Sequence, residues 1–238
     1  MNDSGTGIYA YWEGEFRHWY YDLCWETVKL WNPEAVLLSR SDVESVIGPI
    51  PSEVVRAGII HQVDWIRKRW IHAVGGLWLD MDFISWSDLS PYAHMASAVD
   101  YIGWREWHGT GWMDNFFGGR KGSIILNDAA EHARQQIVIY GKDVPWLSTN
   151  AASMNYAMER NQWSLWMQIP SHMIGPVAVV ELEWFFSCGE INANDFRSVG
   201  FMTSMEGLKS WLMSIKTKEE FLAGKTNLAA IIRRGLNK

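Results

Sequence analysis

The run Gly75-Gly76-Leu77-Trp78-Leu79-Asp80-Met81-Asp82 joins two glycines, a short apolar segment and a pair of carboxylates. The glycines supply a helix stop that tolerates positive φ. Leu77-Trp78-Leu79 reads as a buried strand, bounded by turn residues on both sides. Upstream, Ile59, Val63, Ile66, Trp70 and Val74 recur at spacings of four, three, four and four, one helical stripe. Ser52 suits an N-cap, so a helix is predicted over about residues 53 to 74. A helix that feeds directly into a buried strand is half of a β-α-β unit.

Further out the same alternation returns. Ile8 to Trp12, bounded by Gly7 and Gly14, reads as a first strand. Trp19 to Leu30 has helical length and is ended by Asn32-Pro33. Ala35 to Leu38 reads as a second buried strand. Later segments predict a strand at Tyr101 to Trp104, a strand end or turn at Asn115 to Gly119, and helices over Asn127 to Tyr140 and Trp146 to Arg160. Ile169 to Pro176 reads as loop, and Met205 to Met213 and Lys218 to Arg234 as C-terminal helices. With no internal repeat or low-complexity tract, the expectation is a single α/β domain over residues 1–238.

The carboxylate pair carries the chemistry. In extended chain, residues i and i+2 point to one side, so Asp80 and Asp82 can converge on one ion. Carboxylate oxygens suit Mg²⁺ or Mn²⁺, and a site with few protein ligands leaves positions open for a diphosphate. In open α/β sheets ligands bind outside the carboxyl ends of strands, and this pair follows such an end. Asp64 and Arg67 lie three apart on the predicted helix and share a face, near its last turns. A carboxylate accepts hydrogen bonds from sugar hydroxyls, and a guanidinium grips a phosphate or hydroxyl. Each pattern also has a plain structural explanation, an acidic turn in one case and an intrahelical ion pair in the other.

The segment from Asp64 and Arg67 through Gly75-Gly76 to Asp80-Met81-Asp82 resembles the core of the "DXD" glycosyltransferases that include bacterial capsular polysaccharide synthesis proteins (family 32-like). Val63 stands where that family usually has Ser, and Trp78 where it has Tyr. Ile8 to Gly14 is similar to its opening strand, Asp114-Asn115-Phe116-Phe117 to a later segment with an Asn near the donor sugar, and Ile174-Gly175-Pro176 to a Gly-Pro motif. The resemblance implies a GT-A, Rossmann-like nucleotide-sugar fold, with a core over about 6–180 and a helical extension over about 181–238. It implies a metal-dependent transferase that moves a sugar from a UDP-sugar to a hydroxyl acceptor with retention. By it, Asp82 is the metal ligand with Asp80 beside it, and Mn²⁺ or Mg²⁺ the cofactor. Asp80, Asp82 and Arg67 are the catalytic set. Trp12, Asp64, Arg67, Asp80 and Asn115 bind the donor, with Trp12 stacked on the base. Ser210-Trp211 is a candidate C-terminal metal or phosphate ligand.

Composition narrows the alternatives. The formal net charge is -6, and the densest basic run is Arg67-Lys68-Arg69, which argues against a polyanion binder. A glycan or another neutral hydroxyl acceptor is therefore expected in place of nucleic acid. A modified DNA base is kept as an alternative acceptor, and a non-catalytic glycan-binding protein as an alternative class. The 16 tryptophans offer flat faces on which sugars and bases both stack. Cys24 and Cys188 are too few for a disulfide framework, so a reducing, cytoplasmic setting is expected, with Cys24 buried and inert. Met1 to Gly5 has no basic stretch leading into an apolar one, and no apolar run reaches bilayer-spanning length, so neither leader nor membrane span is expected. Gly224-Lys225-Thr226 is not a phosphate loop, because Glu219 stands where the first glycine is required. His61 and His72 are eleven residues apart, which is not one-face ligand spacing, and they are expected to be structural or surface residues.

Overall fold

The structure, a computed structural model, describes residues 5–105, 111–174, 198–203 and 205–237. Gly175-Pro176 and Cys188 lie outside these residues. The elements in chain order are β1 (Ile8–Tyr11), α1 (Trp19–Trp31), β2 (Val36–Leu38), α2 (Arg40–Ile47), α3 (Ser52–Arg56), α4 (Ile59–Val74), β3 (Gly76–Leu79), β4 (Phe83–Ser85) and α5 (Ser90–Ala98). They continue with β5 (Tyr101–Arg105), β6 (Trp112–Gly119), α6 (Ile124–Tyr140), α7 (Trp146–Thr149), α8 (Ala151–Arg160), β7 (Trp166–Ile169) and β8 (Gly200–Met202). Three further helices follow, α9 (Met205–Ser214), α10 (Lys218–Ala223) and α11 (Asn227–Gly235). Two compact units emerge, one from Met1–Glu13, Val36–Leu79 and Ser90–Ile169, the other from Gly14–Ala35, Asp80–Leu89 and Pro170–Lys238.

The first unit is α/β, as expected. Its sheet has the order β2-β1-β3-β6-β5-β7. β1 pairs in parallel with β2 and β3, β6 runs antiparallel between β3 and β5, and β7 closes the far edge parallel to β5. Side chains alternate across the pleat. Tyr9, Tyr11, Trp78, Tyr101 and Phe117 enter the core shared with α4, α6 and α8. Phe116 points the other way and meets Tyr92 of α5 edge to face, 6.0 Å between ring centroids. Burial on both faces is why β3 reads as continuous apolar sequence rather than an alternating one. Gly76 opens β3 at φ 107°, so close to the residue before β1 that a Cβ would clash with the Gly7 carbonyl oxygen.

Several elements differ from expectation. The helix predicted over 53 to 74 is two helices, because Gly58 takes φ 99° and breaks it. Pro51 rather than Ser52 precedes α3. The helix predicted over 146 to 160 is likewise α7 and α8, divided at Asn150. The one over 218 to 234 is α10 and α11, divided at Gly224 to Thr226. β2 is an edge strand with Val36 45% exposed, not a buried one. Residues 112–119 form a full strand where only a strand end was expected. β7 lies in a region whose apolar pattern gives no alternation, and its first three residues are exposed.

The second unit pairs β4 with β8, Phe83 opposite Met202 and Ser85 opposite Gly200. Its core joins Tyr20, Leu23, Ile84, Phe201, Phe221, Leu228 and Ile232. Cys24 is fully buried in the same core, and burial pushes its thiol pKa well up, so it is inert as expected.

Candidate functional site

Asp64 and Arg67 do share a face of α4, as their spacing predicts, and they form an ion pair there. They sit in the middle of the helix, not in its last turns, because α4 runs from Ile59 to Val74. The buried face is wider than the predicted stripe. It includes Gln62, Asp64, Trp65, Arg67, Lys68 and Ile71, whereas Ile59 is 51% exposed. Charges on such a face must be neutralised by partners. β6 provides one in Asp114, whose Oδ1 is 3.0 Å from the Arg67 guanidinium and whose Oδ2 receives the Lys68 ammonium. α7 provides the other in Thr149. Its hydroxyl donates to Asp64 Oδ2 at 2.6 Å, and its carbonyl accepts from Lys68 at 2.8 Å. Lys68 also donates to the Asp64 carbonyl at 2.9 Å. Two carboxylates and two cations thus balance inside the first unit.

Lys68, Asp114 and Thr149 are the residues that sequence reasoning passed over. Asp114 stands next to Asn115, which was singled out. Pleat alternation buries Asp114 under α4 and turns Asn115 away, half-buried, to accept from Trp104 Nε1 at 3.0 Å. His61 completes the group, with Nδ1 2.8 Å from the Thr149 hydroxyl oxygen. Burial holds the His61 ring below the usual imidazole pKa.

A second constellation surrounds the end of β1. Trp12 is the first residue past that strand, half-buried, with its N–H donating to the Leu38 carbonyl at 3.0 Å. The next residue, Glu13, accepts from Tyr11 Oη at 2.6 Å, from Arg40 at 3.1 Å and from Gln62 of α4. The Tyr11 hydroxyl is held protonated far into the alkaline range, first by burial and then by Glu13. Trp12 is therefore anchored on both sides at the carboxyl end of a central parallel strand.

Asp80 and Asp82 belong to the second unit. They follow β3 in a tight turn, closed by Phe83 N–H on the Asp80 carbonyl at 3.1 Å, and not in extended chain as expected. Both are half-buried, with Met81 buried between them. The Asp82 carbonyl accepts from the Thr203 hydroxyl at 2.9 Å, and that oxygen lies 2.9 Å from Tyr20 Oη. Trp211 packs against Phe221 at 6.0 Å, and its neighbour Ser210 is exposed. Among the described residues no three His, Cys, Asp or Glu side chains form a metal-holding group, and no helix is long and apolar enough to cross a membrane.

No family model and no curated protein matches the chain. Among solved structures it is similar to one titled "PaToxG Glycosyltransferase", at 14% sequence identity and a TM-score of 0.47, over 96% of this chain and 86% of that one.

Proposed function

We propose that this chain is a metal-dependent glycosyltransferase that moves a sugar from a UDP-sugar to a neutral hydroxyl acceptor, such as a glycan, with retention of configuration. The observation that carries the proposal lies inside the first unit: β1 and β3 are adjacent parallel strands at the heart of its sheet, and Trp12 follows β1 directly. Carboxyl ends of neighbouring parallel strands are where open α/β sheets take nucleotides. In this reading Trp12 stacks on the base and Asp64 and Arg67 hold the sugar end of the donor, whereas Asn115, turned to the other face of β6, is not brought to them. The resemblance of the segment from Asp64 to Asp82 supports the same assignment.

The donor set fits a hard divalent cation. Asp80 and Asp82 offer carboxylate oxygens on one turn, and Mg²⁺ or Mn²⁺ held by one or two carboxylates keeps room for waters and phosphate oxygens. Asp82 would be the main ligand with Asp80 beside it, and the ion would neutralise charge on the departing diphosphate. Arg67 would offer the donor guanidinium N–H groups, within a charge-balanced cluster that fixes its side chain.

A thermal-shift panel of UDP- and GDP-sugars, each with Mn²⁺ and with chelator, tests the proposal, since a ligand that binds only the native state raises its stability. A UDP-sugar is expected to raise the melting temperature with Mn²⁺ and not with chelator. No shift from any nucleotide sugar in either condition would remove the donor-binding reading.

A further inference from the structure

The short contact between Thr149 and Asp64 fixes the direction of a longer chain. Two oxygens that both only accept would repel at 2.6 Å, so a proton lies between Thr149 Oγ1 and Asp64 Oδ2. Asp64 already receives the Arg67 guanidinium on its other oxygen, and an ionised carboxylate only accepts. The proton therefore comes from Thr149, whose hydroxyl has one to give. That leaves Thr149 Oγ1 an acceptor in its second contact, 2.8 Å from His61 Nδ1. His61 must then carry its proton on Nδ1. The order His61 Nδ1–H, Thr149 Oγ1–H, Asp64 Oδ2 is the arrangement that satisfies all three groups. Thr149 cannot drift, because its carbonyl is held by Lys68 and the next residue, Asn150, caps α8.

We propose that Thr149 and His61 are positioning residues that orient the Asp64 carboxylate for the donor sugar, through a one-way hydrogen-bond relay from α7 and the first turn of α4. This rests on the donor-binding reading above. Arg67 sets one oxygen of Asp64 and Thr149 the other, so the plane of the carboxylate is fixed before any ligand arrives. Preorganised groups lose less freedom on binding and hold a ligand more tightly.

The test has two arms on the full chain. The first needs no ligand. Two-bond nitrogen–proton spectra of histidine-labelled protein at about pH 8, where a neutral ring is present, read the tautomer of His61. The His61→Asn variant identifies the signal. Wild type and Thr149→Ser are expected to show Nδ1–H. Thr149→Val keeps the shape but loses the hydroxyl, and is expected to release the ring to Nε2–H. An Nε2–H ring in wild type overturns the relay. The second arm is calorimetry with UDP-glucose, UDP-N-acetylglucosamine and UDP in Mn²⁺. Thr149→Val is expected to weaken the better of the two UDP-sugars roughly 10-fold and to leave UDP unchanged, with Thr149→Ser restoring the sugar affinity; that factor corresponds to about 1.4 kcal/mol. Equal losses for UDP-sugar and UDP, or no loss for either, overturn the positioning role. A wild-type chain with the Nδ1–H ring that binds no nucleotide sugar removes the donor-binding reading and the purpose given to the relay, while the relay itself stands.

Discussion

Lys68 and Asp114, 46 residues apart in sequence, form an ion pair with side chains 0% and 5% exposed. The three protons of the Lys68 ammonium go to Asp114, the Asp64 carbonyl and the Thr149 carbonyl. One buried amine thus ties α4 to β6 and to α7. Removing one member of a buried ion pair leaves an uncompensated charge, at a cost of about 3–5 kcal/mol. Lys68→Met, similar in volume and uncharged, is expected to lose stability on that scale in urea unfolding. A loss below about 1 kcal/mol, within the range of an exposed pair, would mean that Arg67 neutralises Asp114 without help.

The approach of β3 to β1 depends on a missing side chain. Gly76 has φ 107°, and a Cβ there would meet the Gly7 carbonyl oxygen that bonds Leu77 N–H at 2.8 Å. Gly76→Ala adds both a clash and backbone strain, the latter of about 1–3 kcal/mol. A fall in melting temperature of roughly 5–10 °C is expected. An unchanged melting temperature would show that the two strands separate at no cost.

The part of the site set by local spacing was legible in the sequence. Asp64 and Arg67 share a face because helical periodicity is local, and the glycine pair at 75 and 76 marked the turn into β3. Lys68, Asp114 and Thr149 were not legible, because their meeting depends on an antiparallel β6 lying beside β3. In chain order β6 follows β5, and nothing local says that it inserts between β3 and β5. The break at Gly58 was missed for a related reason. Apolar residues on both sides continue a helical count, so only the backbone conformation of Gly58 reveals the gap. β7 was missed because Trp166 and Met167 are exposed, and a hydrophobic edge carries no alternation.

Trp12 is half-buried past the end of β1, with its backbone fixed by Leu38 and its neighbour Glu13 fixed by three donors. In the proposed role its ring is a base platform. Stacking on an aromatic ring is worth about 1–3 kcal/mol per base. Trp12→Ala is expected to weaken UDP roughly 10- to 100-fold, at 1.4 kcal/mol per tenfold, with the chain still folded. A large loss of melting temperature with no selective loss of UDP would assign the ring to the core instead.

His132 supplies a pH dependence whose sign can be worked out. Its Nδ1 is 3.1 Å from Ser153 Oγ, which spends its own proton on the Ser148 carbonyl, so His132 donates there. Its Nε2 is 3.3 Å from Gln136 Nε2 and accepts. Burial, and then the Lys68 charge, lower its pKa below the usual 6.5. In the window between that lowered value and 6.5 the unfolded chain binds the proton and the folded one does not. Stability contributed by this ring is therefore present above 6.5 and lost as pH falls through the window. Urea midpoints are expected to drop on acidification from pH 7, and less steeply in His132→Asn. Equal slopes for the two proteins would take His132 out of the account.

The backbone of the Asp82 loop makes hydrogen bonds of its own. The Asp82 carbonyl takes the Thr203 hydroxyl proton, and Tyr20 must in turn donate to Thr203 Oγ1, since Thr203 has spent its single proton. The carboxylate is not needed for either bond, and Asp82→Asn keeps the side-chain shape. The change takes away one negative charge and one hard oxygen ligand. Without a cation the acidic turn repels a diphosphate, and with one it attracts it. UDP affinity in wild type is therefore expected to be higher with Mn²⁺ than with chelator, and calorimetry of Asp82→Asn to show that difference abolished along with transfer. Asp80→Asn is expected to be milder toward the metal and still severe for transfer. If wild-type UDP affinity is equal with Mn²⁺ and with chelator, or if Asp82→Asn retains full transfer, the two aspartates are an ordinary acidic turn and the metal-dependent mechanism falls.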